Sequence, residues 1–405
     1  MQDSEPRLMR RIVLLAFAAF ASAMSIRIGD PLLPELARVF GAPISGVAPT
    51  VSAFAFAYGC MQLVYGPVGD RFGKFHVIAW ATLACVTGAL GSAAAGGIAA
   101  LIGFRVLSGA TAAAIIPLSM AWIGDHTRYE ERQAVLARLL TGQILGLACG
   151  QLMGGMLADL AGWRSAFVFL AVVHAAAGLL LLRELGSSSG SDRFPRPSAM
   201  LMPVHRQVLE VLRRPWARAI LAWVLVEGAA AFGAFAFAPT YLHQRFGLPL
   251  RTAGALMSLF GLGGLGYALL ARRFIGRFGE SGLALAGGLL LGAAYLALAL
   301  APRALWAAPA ATAAGLGFDM LHNTFQTHGT QMAPNVRGTA VAIFASSLFL
   351  GQAGGVAAAT WIGDHAGPRR VFVLAAATLV LVGASFSAVL RRRRAAPAPA
   401  TAAAT

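Results

Sequence analysis

Charge is what this chain has least of. Only 12% of its 405 residues are Asp, Glu, Lys or Arg, about half the share found in soluble domains, and Lys74 is the one lysine. A soluble protein with a charged surface is excluded. Cysteine is scarce too. Cys60, Cys85 and Cys149 all fall in apolar stretches without metal-ligand spacing, so they read as small buried hydrophobes, and no metal site is expected. No HExxH pair, Walker loop or motif-placed Ser-His-Asp set occurs. An enzyme, an ATP-driven pump and a bound cofactor are therefore not indicated.

What the chain has in excess is apolar surface. Hydrophobic residues make up 58%, and the mean hydropathy is +0.70. A bilayer span needs about 20 apolar residues. Windows of that size predict twelve helices, near 11–38, 46–69, 76–96, 98–123, 132–158, 164–185, 216–243, 251–271, 281–301, 304–330, 337–361 and 370–390. The fold class expected is all-α integral membrane. Its parts are an N-terminus over 1–10, a six-helix half over 11–185, a Ser/Gly/Pro/Arg-rich linker over 186–215, a second half over 216–390 and a disordered tail over 391–405. The Arg10-Arg11 start followed by Ala21-Ser-Ala23 imitates a cleaved secretory signal. The apolar run continues past Ala23 and has a counterpart in the second half, so the segment is expected to stay.

The net charge of +16 invites a nucleic-acid reading, but the arginines gather in loops between apolar windows. Arg38, Arg164, Arg245, Arg251, Arg303, Arg369 and Arg370 fall on one side. Arg27 and Arg105 fall within helices, and all the other Lys and Arg lie on the opposite side. This asymmetry predicts that both termini and the linker are cytoplasmic, in a multi-pass protein of a bacterial inner membrane, with no nucleic-acid partner.

The chain repeats itself. A shift of 205 residues brings Asp159-Leu-Ala-Gly162-Trp-Arg164 onto Asp364-His-Ala-Gly367-Pro-Arg369, Arg132 onto Arg337, Gly146 onto Gly351, Gly150 onto Gly355 and Pro34 onto Pro239. A shift of 206 brings Arg71-Phe72-Gly73 onto Arg277-Phe278-Gly279. Repeats of this length in an apolar chain predict two pseudo-symmetric six-helix halves. The second hinge is worn: Gly276 stands for Asp70 and Glu280 for Lys74.

A charge at bilayer depth costs roughly 2.5–3.5 kcal/mol on insertion scales, so each needs a reason. They fall on the first helix of each triplet: Arg27 and Asp30 on the first helix, Arg105 on the fourth, Glu227 on the seventh and Asp319 on the tenth. With His322, Asn323 and Gln326, Asp319 forms a stripe at i, i+3, i+4, i+7. The stripe is read as lining a water-accessible cavity, with interhelical bonding as the alternative. Arg27 and Asp30 sit at i, i+3, so mutual neutralisation stands beside a coupling role. His174 reads as a packed histidine. Gly142, Gly146, Gly150, Gly154 and Gly155 form a ladder on which another helix can pack closely.

Between the second and third windows lies Gly66-Pro-Val-Gly-Asp70-Arg71-Phe72-Gly73-Lys74, read as a short polar hinge. It resembles the signature loop of the major facilitator superfamily, Gly-x-x-x-Asp-Arg-x-Gly-Arg/Lys. Asp30-Pro31-Leu-Leu-Pro34, Arg105-Val-Leu-Ser-Gly109 and the glycine ladder resemble motifs of its twelve-helix drug/proton antiporter branch. One departure is Gln151, where that branch has proline. The resemblance implies that the first helix of each triplet lines the central cavity and that Asp30 and Arg105 couple protons. It implies a cytoplasmic gate of Gly66, Asp70, Arg71, Gly73, Lys74 and Asp125, in which Asp70 faces Arg337 and Gly338. The activity expected is proton-coupled efflux of a small organic compound by a monomer in the lipid bilayer, with H+ as coupling ion. Uptake by symport or uniport, and a transport-inactive membrane sensor, are the alternatives.

Overall fold

The computed structural model describes residues 5–186 and 203–395, and every regular element among them is helical. Ten continuous stretches are long and apolar enough to cross a bilayer. One of them, Leu250–Leu300, breaks at Gly279 and supplies two spans. Ala307–Gly329 adds the last; its polar stripe lowers its hydropathy. Twelve spans result: α1 (Pro6–Phe40), α2 (Ile44–Phe72), α3 (Lys74–Ala94), α4 (Ile98–His126), α5 (Tyr129–Ala161), α6 (Trp163–Gly186), α7 (Pro215–Phe246), α8 (250–278), α9 (280–300), α10 (Ala307–Gly329), α11 (Arg337–Ala366) and α12 (Pro368–Ala395).

Several boundaries differ from the sequence reading. Helix α1 starts by Pro6, ahead of the expected window, and its first turns are held by Arg10 and Arg11, which both pair with Glu184 of α6. Arg11 is buried, with its guanidinium over Phe75 and Trp122. Most of the expected linker, 187–202, lies outside the described residues, as does 396–405 of the expected tail. The linker's last part is not a loop: Val204–Arg213 is helical, because Val204, Val208 and Val211 recur at helical spacing and the last two dock on the second half. Helix α12 runs on to Ala395, with Arg393 stacked 3.6 Å over Trp216. Cys85 is buried and Cys149 half-buried, but Cys60 lies on an exposed face of α2.

Glycine sets the packing, and it does so twice. A Cβ at Gly142 would meet the carbonyl oxygen of Ala16 at 2.6 Å, and one at Gly150 that of Met24 at 2.6 Å. Gly146 and Gly154 abut the carbonyls of Phe20 and Ile28. Helix α5 therefore lies backbone to backbone on α1. In the second half, Gly351 abuts the Leu225 carbonyl and Gly355 that of Ala229. Each of these contacts is the first-half contact moved by 205 residues. Gly354 meets nothing, so it has no part in the second ladder. Gly155 turns away from α1 and abuts Leu250 of α8. The halves meet through α2 against α11 and α5 against α8.

The expected hinge is mostly helix. Helix α2 continues through Phe72, and the reversal falls on Gly73, at φ +84 and ψ 121. Gly66 has open space around it, whereas Gly69 lies against Leu118 of α4. Gly279 makes the second reversal at φ +60. A side chain at Gly73 would adopt a conformation nearly reserved for glycine and press on His76, 3.2 Å away. Gly73→Ala is expected to cost about 1–3 kcal/mol, seen as a lower unfolding midpoint in detergent; an unchanged midpoint would contradict it.

Candidate functional site

Helix α1 is interrupted where its charges sit. Pro31 offers no N–H, and the chain passes through a 3-10 turn at Asp30–Leu32. Backbone carbonyls freed near this break need donors. Arg105 supplies one: its Nη2 donates to Ser25 O at 3.1 Å and its Nε to Thr50 O at 2.9 Å. Only 1% of Arg105 is exposed, and its guanidinium lies 4.3 Å from the Phe54 ring. Its bonds thus go to the main chain of α1 and α2, inside the first half, and none goes to the Asp30 carboxylate. His174 packs beside it, with Nδ1 2.9 Å from Leu170 O and Nε2 3.4 Å from Ser25 Oγ.

Asp30 is wholly buried. Its Oδ2 accepts from Gln151 Nε2 at 2.8 Å and lies 3.5 Å from Arg27 Nη1, while its Oδ1 has no partner among the described residues. Gln151 was not among the residues expected here. Its signal in the sequence is an amide inside the glycine ladder, where the resembling branch has proline. The Arg27 guanidinium lies 4.2 Å from the Phe232 ring and 5.1 Å from that of Phe235. These phenylalanines are the 205-shifted counterparts of Arg27 and Asp30 themselves. The repeat keeps its packing glycines and replaces an ion pair by an aromatic pair, and the two face each other across the junction of the halves. Arg27, Gln151, Phe232 and Phe260 enclose a cavity of about 10 Å³, roughly the room one water needs.

The second half holds its own acid. Glu227 of α7 is wholly buried, and its Oε2 lies 2.8 Å from His322 Nδ1 of α10. Glu227 Oε1 has no partner among the described residues. His322 stacks on Phe318 at 4.9 Å, and Phe318 packs on Phe232 at 4.7 Å. An unbroken line of contacts therefore runs from Asp30 through Arg27, Phe232, Phe318 and His322 to Glu227. Sequence reading missed the phenylalanines because their spacing is that of any core helix. Asp319 Oδ2 occupies room left by Gly264, where a Cβ would come within 2.8 Å. Asn323 donates to the Asp319 carbonyl at 2.8 Å, so its amide is spent within its own helix. Gln326 lies further along the stripe, half-buried.

At the end where the linker joins the halves, Lys74 Nζ lies 2.6 Å from Asp125 and 3.3 Å from Asp70. Arg71 is exposed over the Phe72 ring. Asp70 pairs with Lys74 across the reversal at Gly73 and not with Arg337, which is exposed. At the worn second hinge Glu280 faces His328 at 3.5 Å.

The opposite end is closed by two contacts that no motif announced. The Asp159 carboxylate accepts from Leu250 N at 3.2 Å and Arg251 N at 2.8 Å. The Asp364 carboxylate accepts from Ser45 N at 2.8 Å. Each acid of one half caps a helix start in the other, and donors and acceptors are both related by the shift of 205. Their signal lay in the repeat, which matches Asp159 with Asp364.

A membrane bundle of two six-helix halves, meeting at buried charges, defines a transporter class. The chain matches the family model of the Major Facilitator Superfamily over residues 15–353 and belongs to that family. An uncharacterized MFS-type transporter from Bacillus subtilis, YceJ, is 26% identical over 87% of this chain and 89% of its own. A chloramphenicol resistance protein from Pseudomonas aeruginosa is 27% identical over 41% of this chain and 40% of its own. The crystal structure of a bacterial homolog of the human lysosomal transporter Spinster superposes with a TM-score of 0.79 at 16% identity, covering 98% of this chain and 100% of that one.

Proposed function

We propose that this transporter exports a small organic compound in exchange for protons by alternating access. The observation that carries the reading is Asp30: a wholly buried carboxylate with one free oxygen, placed where α1, α5 and α7 meet. An acid in that position is a functional residue by its cost alone. Arg27 and Gln151 hold its charged form, and a proton on Oδ1 would release the Arg27 guanidinium toward a substrate entering between Arg27 and Phe232. Glu227 with His322 and Asp319 would supply the second half's contacts to substrate. The asymmetry of positive charge supports a cytoplasmic linker end. The Asp159 and Asp364 contacts would then close the outer side. No cofactor and no partner chain is needed for this cycle.

The resistance name of the Pseudomonas relative supports outward transport. Gln151 favours a second reading, uptake by symport, because it stands where the resembling antiporters carry proline. Expression in a bacterial host stripped of its main efflux pumps separates them. Export lowers the steady-state accumulation of lipophilic dyes, and a proton ionophore reverses the effect. Raised accumulation of a compound would favour uptake.

A further inference from the structure

The starts of α6 and α12 are related by the repeat but differ in what surrounds them. In the first half, Glu35 reaches the start of α6, and its Oε1 accepts from Trp163 N at 3.2 Å. It lies beside Gly162, whose φ is +80. Arg38 is within electrostatic reach of it. The neighbouring Arg164 donates to Ala95 O at 3.0 Å. The start of that helix is thus occupied by a carboxylate of the protein's own.

Moving by 205 residues, Gly367 with φ +98 replaces Gly162, and Arg369 replaces Arg164. Thr240 replaces Glu35. Its hydroxyl is wholly buried and has no hydrogen-bond partner among the described residues. No carboxylate takes the place of Glu35. Instead a cavity of about 450 Å³ opens at the start of α12, and its lining includes Tyr241, Gln244, Arg245, Gly367, Arg369 and Arg370 and no acidic residue. Arg245 is held rigidly, donating to Ala299 O at 2.9 Å, to Ala301 O at 2.7 Å and to the Tyr241 hydroxyl. Those partners fix its position without neutralising its charge. Asp364, the nearest acid along the chain, is engaged with Ser45.

We propose that this cavity binds a phosphate group, held by Arg245, Arg369 and Arg370; Pro368 stands where Trp163 offers its N–H to Glu35, so the arginines supply the donors. Three arginines around one space match the charge and the several acceptor oxygens of a phosphate better than those of a carboxylate. The positive end of α12 adds to the attraction. The cavity lies at the end of the spanning helices α7 and α12. Two sources therefore present the same chemistry: the headgroup of an anionic phospholipid and a free phosphate. The site is separate from the buried charges between the halves, so it stands or falls independently of the transport cycle.

The test uses the purified full chain in neutral detergent. Native mass spectrometry measures retention of phosphatidylglycerol against phosphatidylcholine, and thermal unfolding measures the effect of inorganic phosphate. The variant is Arg369→Gln with Arg370→Gln, both exposed. We expect the unaltered protein to favour phosphatidylglycerol by roughly tenfold, or to be stabilised by inorganic phosphate. We expect the double variant to lose that response while its unliganded midpoint stays put. A lipid preference alone identifies the headgroup as the source; a phosphate response identifies the free anion. Arg370→Gln by itself, expected to weaken the response, serves if the double variant does not fold. An unaltered protein that answers neither ligand, or a folded variant that responds equally, overturns the proposal.

Discussion

Joining Ser45→Cys to Asp364→Cys with a short thiol cross-linker is expected to stop transport, and cleaving the linker to restore it. The contact between Ser45 N and the Asp364 carboxylate, at 2.8 Å, bridges the two halves at the end away from the linker. In an alternating-access cycle the substrate must leave or enter through that end, so the contact has to break in every turnover. A covalent bridge holds it shut. The loss expected is on the order of tenfold or more, since opening is obligatory and cannot be bypassed. The repeat supplies an independent second lock, Asp159→Cys with Arg251→Cys, because Asp159 holds the Arg251 backbone in the same way. Both are made in a background without Cys60, Cys85 and Cys149, with the uncross-linked double variants as controls for the lost caps. Full transport by cross-linked protein would show that this end does not open.

Asp30→Asn is expected to abolish transport against a gradient while sparing exchange of substrate across proteoliposomes at equal pH. The amide imitates the protonated acid in shape and can still accept from Gln151, so the fold is kept. It cannot bind or release a proton, so the link between proton and substrate is cut. A drop of about tenfold or more in uphill transport is expected for a carboxylate buried at such cost. Counterflow of labelled substrate separates this from a merely damaged protein, which would lose both activities. Uphill transport at the unaltered rate would remove Asp30 from the coupling mechanism.

The fold was legible because a bilayer leaves few choices. Helices are the remedy for buried backbone polarity, and apolar windows count them. The internal shift of 205 residues then gave the arrangement of halves, since only a structural repeat explains matched arginines and prolines. The site was legible in part. Asp30, Arg27, Glu227 and His322 stood out because charge in an apolar run is conspicuous. Their pairing was not legible, because Glu227 and His322 lie 95 residues apart and nothing local ties α7 to α10. The bonds of Arg105 were not legible either, because the carbonyls of Ser25 and Thr50 that it reaches are marked by no motif. Phe232 and Phe235 were invisible, since an aromatic residue in a membrane helix is ordinary until its counterpart in the other half proves to be an ion pair. Asp159 and Asp364 were found only as a match between repeats. Their work depends on helix starts that neither sequence window contains.

The measurement that bears most directly on proton-coupled alternating access is proton movement in proteoliposomes carrying a trapped pH dye. Lipophilic cations, organic acids and sugars are added in turn to vesicles of the unaltered protein and of Asp30→Asn. The expected result is substrate-driven proton movement opposite to the substrate, present in the first and absent in the second. Substrate flux with no proton movement, or proton movement that survives Asp30→Asn, would contradict it.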